Sequence, residues 1–507
     1  MLQDPSTQTA IQGVATATIL NLFSKLLNYI RHIVIAAYIG LSVELDAFYV
    51  ATSVVAIFIN TFGDIFDSVG IPILVKTRTR EGEESFRRLT GSIFTFAVKL
   101  GATLCLFMIL CFPLAPRLVP GFRAESRGFI YENLIFLIPY ALAYLPYHCL
   151  GSFFRSVRRF YVFSAVEFLV QAIALLVLFQ LRASERAVPL SLSAGYLIGL
   201  GFFVFWGQRH FRVFGDGKEP HMAEVRRTLL DLLPLYLLGH GFVIIDRYFA
   251  SFLEPGAISA LFYGYVLAMS VPLIMNIDFV FVTPLSEESN RGELLTRILS
   301  GVLLVSLPML AFGLLFADDI VRMLFERGAF DARSTRLTAD ALRFYLIGLP
   351  AFFIWPVCIR TFQISKIFRR LAAIAFVALI LNGILNYLFV VKSGLGVKGI
   401  SLATSLSWSF GALYGLWFLS ARGIRIRCTE ALMVLPNIFV GVAIALSAAV
   451  FLPPVFFLRL DVIVRGIAFV AIYAITVVLI PGSEMRRIQA LVLESFPWLA
   501  KRVAGWL

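Results

Sequence analysis

Residues 21–40 read "NLFSKLLNYIRHIVIAAYIG", and how this stretch is read decides the fold. Its length and apolar content suit a helix crossing about 30 Å of hydrocarbon. Yet it carries Lys25, Arg31 and His32, with Asn21 and Asn28 between them. One cation near a bilayer centre costs roughly 2.5–3.5 kcal/mol on insertion scales. A membrane helix that keeps several must give them a pairing, a ligand or water. Asn21, Lys25, Asn28 and His32 follow at i, i+4, i+7 and i+11, so they share one helix face. Arg31 lies about 100° away, at the edge of that stripe.

The rest of the chain agrees with a membrane reading. Of 507 residues, 59% are hydrophobic and 15% charged, against about 45–50% and about 25% in soluble domains. The excess recurs as separate apolar stretches, without the alternation of an outer-membrane barrel. About fourteen spans are expected. Six lie near 14–40, 47–76, 89–114, 129–154, 160–181 and 189–211. Six more lie near 228–253, 258–285, 294–317, 337–364, 370–391 and 397–420, and two follow near 431–452 and 461–481. The start, "MLQDPSTQTAIQG", has no positive segment or small-residue cleavage site, so no removable signal peptide is expected. The tail from Ser483 is amphipathic and is expected to lie along the interface.

Loop charge orients the spans. With the N-terminus in the cytoplasm, inner loops such as "KTRTREGEESFRR", "RSVRR" and "SKIFRR" hold roughly 25 Lys and Arg, against roughly 12 outside. An even span count returns the C-terminus to the cytoplasm. The net charge of +13 therefore reads as cationic inner loops and an anionic lipid ligand, with no nucleic acid as partner. The five cysteines are scattered and show no metal spacing.

A weak repeat divides the chain. "IRHIVIAAYIGLSVELDAFYVA" (30–51) is echoed by "DRYFASFLEPGAISALFYGYVLA" (246–268), about six spans later. An even offset relates the halves by an axis along the membrane normal, as in transporters built from parallel repeats. The expected fold is thus an all-α polytopic membrane protein. Two pseudo-symmetric six-helix lobes, 1–212 and 213–421, precede two extra helices and a cytoplasmic tail in 422–507. The segment "ADDIVRMLFERGAFDARSTR" is expected to hold a short surface helix.

Span 2 carries its own polar stripe, Asn60, Asp64 and Asp67, at i, i+4 and i+7. Asp64 falls at the depth of Lys25, which makes a buried Lys25–Asp64 pair the ordinary explanation of both. Arg31 meets "VATSVVAIF" at its depth, with no acid in span 2. Either it snorkels to the outer interface, or it faces a cavity and an anionic ligand such as a phosphate, which suits its planar fork. Asp246 and Arg247 are adjacent and need separate partners, and Asp278 in "IMNIDFVF" sits deep enough to face a cavity. Asn382 and Asn386 share a face at i, i+4, where interhelical hydrogen bonding is the ordinary role. No P-loop, metal motif or nucleophile elbow is present, so a carrier is expected rather than an enzyme.

Several stretches resemble one family. "GLSVELDAFYVA", "IIDRYFASFLEPGAISALFYGYVL", "LFERGAFDARSTRLTADALRFYLIGLPAFFI" and "LNGILNYLFVVKSGLGVKGISLATSLS" are similar to segments of the MurJ/MviN lipid II flippases. The likeness covers most of 14–420. It implies membership of the multidrug/oligosaccharidyl-lipid/polysaccharide exporter superfamily, a cationic central cavity, alternating access, and a lipid-tail groove formed by the last two helices. The family's essential first-span arginines fall on Lys25 and Arg31, and its essential aspartate on Asp46. The resemblance implies a polyprenyl-pyrophosphate-linked saccharide as substrate, met by Lys25, Arg31, Asn28 and His32. Asp46, Asp64, Asp67, Asp246, Arg247 and Asp278 would be structural or gating. In some relatives a sodium site uses the region of Asn382, Asn386 and Thr404. No cofactor is expected, and sodium, protons or the membrane potential would drive the cycle in the bacterial inner membrane, with membrane lipids and cell-wall or polysaccharide synthases as partners.

The chain departs from the family where span 2 reads "AIFINTF" in place of an arginine pair, and where span 8 reads "YGYVL" in place of Y-A-D-R-L. Two substrate-facing cations are missing, which leaves an exopolysaccharide or O-antigen precursor open as the cargo. A cation-coupled drug antiporter would want an acidic cavity, whereas span 1 is cationic. A non-transporting scaffold is the remaining alternative.

Overall fold

The computed structural model describes residues 5–181, 184–212, 214–215, 219–275, 290–365, 367–452 and 461–479, with the side chains of 5–15, 67–69, 274–275 and 478–479 left aside. All regular structure among them is helical. Helices α1 (Pro5–Ile39), α2 (Val43–Val55), α3 (Thr61–Cys111), α4 (Ala124–Phe136) and α5 (Ile138–Ser156) come first. Then follow α6 (Phe160–Gln180), α7 (Ala187–Gly207), α8 (Met222–Ala250) and α9 (Ala257–Met275). After 276–289 come α10 (Arg291–Phe325), α11 (Ala332–Ile347), α12 (Leu349–Ile364), α13 (Phe368–Asn386) and α14 (Val397–Ala421). The short α15 (Cys428–Leu432) leads to α16 (Leu435–Phe451) and α17 (Asp461–Leu479).

Eight helices among the described residues are long and apolar enough to cross a membrane, or ten if each bent pair is one span. That is fewer than the fourteen expected. Part of the difference lies in α1 and α14, whose polar and small residues keep them off that measure. The bent pairs are α4–α5, at 43°, and α11–α12, at 53°. Each was expected as one continuous span, and each breaks just before a proline, Pro139 or Pro350, which cannot donate to the preceding turn. Conversely, the expected loop between spans 2 and 3 is helical. The helix α3 runs 51 residues and breaks only at Gly82, whose φ of 89° is open to glycine at little cost. The segment expected to hold a short surface helix, 317–336, comprises the end of α10 beyond its kink at Phe316, a loop at 326–331 and the start of α11.

The helices group into two compact units, 1–259 with 325–334, and 260–324 with 335–507. In the first, α3 packs on α5 and α8, α1 on α6, and α7 on both α5 and α6. The α6–α7 contact is close because α7 presents Gly195 and Gly199, one turn apart. A Cβ on Gly195 would lie 2.8 Å from the Val170 carbonyl oxygen, and one on Gly199 would lie 2.5 Å from Val170 Cγ2. Small residues at this spacing let membrane helices approach and gain van der Waals contact. The approach sets Tyr196, between them, against α5.

In the second unit, α13 and α12 pack on α14, and α16 packs on α17. Phe316, Ala445, Ala449, Val462 and Phe469 form a buried apolar cluster joining α16 and α17 to α10. Tyr473 buries its ring there and donates its hydroxyl to the Leu304 carbonyl at 2.9 Å. The two extra helices expected from the sequence are thus α16 and α17.

Glycine contacts give a paired test. Gly199→Leu should force α6 and α7 apart and cost about 1–3 kcal/mol of overpacking. Gly201→Leu, where a Cβ meets nothing within 4 Å, should be neutral. Thermal melting of the purified variants compares them, and equal melting temperatures would refute the close packing.

Candidate functional site

The polar stripe of α1 divides on folding. Lys25 and Asn21 are exposed, Asn28 is half-buried, and Arg31 and His32 are each only 8% exposed. Arg31 Nη2 donates to Asn28 Oδ1 at 2.8 Å, one turn back along the helix. The helix packs on α6, so Arg31 enters the interior of the first unit. An arginine reaching back to the outer interface would not be buried in this way. Lys25, by contrast, gives any pair with Asp64 an exposed partner.

The interior around Arg31 is polar and aromatic. A π-turn at Ala56–Asn60 precedes α3 and is closed by Thr61, whose hydroxyl donates to the Ala56 carbonyl at 3.2 Å. Such turns add a residue to a helix and shift the faces that follow. Asn60 and Asp64 then meet α5. Tyr140 donates to Asn60 Oδ1 at 3.3 Å, and Tyr144 to Asp64 Oδ1 at 3.4 Å. One turn on, Tyr147 donates to Glu167 Oε1 of α6 at 2.7 Å. Tyr196 of α7 sits edge-on to Tyr140 at 4.9 Å and to Tyr147 at 5.0 Å between ring centres. His148 lies 4.3 Å from the Tyr144 ring. Arg31, Asp64 and Glu167 are all within electrostatic reach of both Tyr140 and Tyr196.

A second polar knot lies where α1 gives way to α2. Gly40 takes φ +67°, and Ser42 caps α2 by accepting from the Leu45 amide at 3.2 Å. The loop before α11 docks here through the Ala329 amide, which donates to the Ala37 carbonyl at 2.7 Å. Asp46, 2% exposed, accepts from the Gly256 amide at 2.8 Å, the Ser259 amide at 2.7 Å and the Ser259 hydroxyl at 2.5 Å. These are the amides at the start of α9, where a carboxylate satisfies donors the helix cannot and meets the positive end of its dipole. Arg247 adds a bond from its guanidinium to the Tyr49 carbonyl, and Arg333 pairs with Glu254. Asp331 caps α11 through the Ser334 amide and hydroxyl, both at 2.8 Å, which hold its carboxyl below the usual range.

In the second unit, Asn382, Asn386 and Thr404 are all buried. Asn386 Nδ2 donates to Asn382 Oδ1 at 3.2 Å, and Asn382 Nδ2 to Thr404 Oγ1 at 3.3 Å, linking α13 to α14. The three groups are neutral, and these two bonds are of the interhelical kind common between membrane helices.

The family described as "Lipid II flippase MurJ" matches residues 35–465. The chain belongs to that family. Among its relatives, a probable lipid II flippase MurJ of Rhizobium tropici is 25% identical over 455 residues, 84% of each chain. One from Rhizobium meliloti is 26% identical over 465 residues, 86% of each, and one from Aquifex aeolicus is 23% identical over 410 residues, 78% of this chain and 80% of that one. The fold is similar to a solved lipid II flippase MurJ in an inward closed conformation, with a TM-score of 0.76 at 18% identity, covering 91% of this chain and 97% of that one. It is also similar to an outward-facing multidrug resistance MATE family transporter of the MOP superfamily, with a TM-score of 0.61 at 14% identity, covering 81% and 95%.

In this member of the MurJ family, the structure gathers Arg31, Asn28, His32 and Asp64 within the first unit and leaves Lys25 exposed. Asp46 and Arg247 both tie down α2, and the adjacent Asp246 is half-buried. The Asp67 side chain and Asp278 lie outside the described residues. The sequence reading missed the tyrosines. Their signal was "YALAYLPY", with Tyr140, Tyr144 and Tyr147 at i, i+4 and i+7, one stripe along the first half of the helix.

Asp46→Ala should strand the Gly256 and Ser259 amides in a dry site, at about 1–3 kcal/mol for a buried unsatisfied donor. Asp46→Asn keeps one acceptor oxygen and should recover part of the loss. Thermal melting of both purified variants reads the order, and a melting point for Asp46→Ala equal to wild type would refute the capping role.

Proposed function

We propose that the chain is a lipid II flippase, moving a polyprenyl-pyrophosphate-linked saccharide across the bacterial inner membrane by alternating access for peptidoglycan synthesis. Family membership over 35–465 supports the cargo class, and the observation that carries the role of this site is Arg31, a guanidinium buried among hydrogen-bonding groups. Pyrophosphate is an anion that a planar fork can hold bidentately. In this reading Arg31 is the principal phosphate contact. Asn28 holds its fork in place, and His32 stands beside it. Lys25, exposed one and a half turns earlier, meets the anion before Arg31 does. Asp46 and Asp64 hold the surrounding helices rather than the cargo.

The test is a flipping or complementation assay on two variants, with membrane protein quantified in each. Arg31→Lys keeps the charge and loses the fork, so transport should fall at least about tenfold, the scale of one lost charge-assisted bond. Arg31→Ala should abolish transport while the protein still reaches the membrane. Full transport by Arg31→Ala would overturn the phosphate role.

The lobes 1–212 and 213–421, the accessory segment 422–507 and cytoplasmic termini complete the proposal. Loop charge supports that orientation. Single cysteines placed at 78–88 should then react with a membrane-impermeant reagent only from the cytoplasm, and those at 326–331 only from outside. Reaction of 78–88 from outside would reverse the topology.

A further inference from the structure

The first unit carries charge at its helix ends that the site around Arg31 does not use. On α3, Lys76, Arg78 and Arg88 each meet an acid, Glu224 at 3.8 Å, Glu83 at 2.9 Å and Glu219 at 3.2 Å. Arg87 has no such pair among the described residues, and neither has Arg159 before α6 or Arg209 after α7. His210 stands among these three. Its Nε2 lies 2.6 Å from Arg159 Nη1, and Arg87 and Arg209 act on it electrostatically as well. We propose that Arg87, Arg159, Arg209 and His210 form a phosphate-binding site, separate from Arg31, on the face that the proposed topology places in the cytoplasm.

Packing holds the backbone beneath this cluster. Phe211, buried beside His210 in sequence, sets its ring edge-on to Phe154 at 5.0 Å, to Phe153 at 5.6 Å and to Phe86 at 6.0 Å between ring centres. Phe86 is in turn the neighbour of Arg87. The chain leaving α7 then docks on α3. Gly215 donates its amide to Thr95 Oγ1 at 3.0 Å, and the Phe214 carbonyl oxygen passes where a Cβ on Gly91 would be only 2.9 Å away. Phe214 also meets the Phe94 ring edge-on at 5.6 Å. Side chains on a fixed backbone lose less freedom on closing around a ligand than those on a loose loop.

The chemistry of the cluster points to an anion with several oxygens. A guanidinium can only donate, so His210 accepts from Arg159 through Nε2 and is a neutral ring with its hydrogen on Nδ1. Partial burial, then Arg159, Arg87 and Arg209, lower its pKa from the ordinary value, as cations without a counter-anion should. Three planar forks and one N–H thus gather with no carboxylate among the described residues to receive them. One carboxylate would occupy one fork, whereas a phosphate group has oxygens for more than one and accepts from arginine bidentately. Phe160 and Tyr161 at the start of α6, and Phe205 and Trp206 at the end of α7, are exposed beside the patch, and the Arg209 guanidinium lies 5.4 Å from the Phe205 ring centre. Exposed aromatic residues at helix ends mark the level of the lipid headgroups. A lipid phosphate can therefore reach the patch from the membrane side, and a free phosphate from water.

His210 itself reports occupancy. The full-length protein, with nitrogen-15 in its five histidines, is placed in phosphatidylcholine nanodiscs, and His210→Gln assigns the signal. An anion among the arginines favours the charged ring, so the His210 pKa followed by magnetic resonance should rise by about one unit when the site fills. Two probes separate the sources. A rise on mixing phosphatidylglycerol into the nanodisc, with none on adding inorganic phosphate, assigns a lipid headgroup. A rise with inorganic phosphate in phosphatidylcholine alone assigns the free ion. Arg87→Ala/Arg209→Ala removes two neighbouring cations, so it should raise the His210 pKa with no probe present and shrink the rise that either probe produces. His221, on the same face but 3.0 Å from Glu81, measures the general potential of the membrane surface. No rise with either probe would overturn the site. So would a rise that His221 shares in full, or one that the double variant keeps in full. None of these readouts involves transport, so the phosphate site and the cargo proposed above stand or fall separately.

Discussion

A guanidinium taken into a membrane protein's interior must find acceptors there, because hydrocarbon offers none and the charge cannot be shed. Arg31 is such a group, and much of the first unit is arranged to accommodate it. Asn28 accepts one of its hydrogens from the same helix. Tyr140 of α5 and Tyr196 of α7 lie within its field. Phenols suit this place because each buries a large ring and keeps one polar tip. The close passage of α7 over Val170, made by two glycines, is part of the same arrangement, since it brings Tyr196 to the rings of α5.

The knot at Asp46 obeys the same rule at a helix end. The first amides of α9 have no partners within their own helix, and one carboxylate from α2 takes two of them together with the Ser259 hydroxyl. Because Asp46 is 210 residues from Gly256 in sequence, the bond is a long-range constraint built from local needs. Arg247 and the Tyr49 carbonyl form a second tie to α2. The two echoing sequence segments, 30–51 and 246–268, thus meet through polar groups at their matching turns.

The candidate ion site shows the rule by contrast. Asn382, Asn386 and Thr404 are buried more completely than Arg31, yet they are neutral, and two hydrogen bonds link them in a chain. The charged groups of the second unit pair instead at its better-hydrated parts, where Arg343 meets Asp318 and Asp340, and Lys398 meets Asp340 at 3.3 Å.

What the residues determined by themselves was local or collective. Apolar length and loop charge are sums over neighbouring positions, so they marked the helices, the membrane and the two accessory helices. Helical spacing placed Asn28 and His32 on one face and marked Arg31 as a group in need of company, and the motifs around Asp46 and Gly328 were enough to name the family. The breaks before Pro139 and Pro350 and the helical passage around Gly82 escaped that reading, because a proline can kink a span or end it and only packing chooses. Tertiary structure alone decided who keeps company with whom. Lys25 and Arg31 stand six residues apart in one apolar helix, yet one is exposed and the other buried, because α6 covers only part of α1. Tyr144 reaches Asp64 across 80 residues and Tyr147 reaches Glu167 across 20. No periodicity within a single helix encodes such pairings, for they depend on the angle and approach at which separate helices pack.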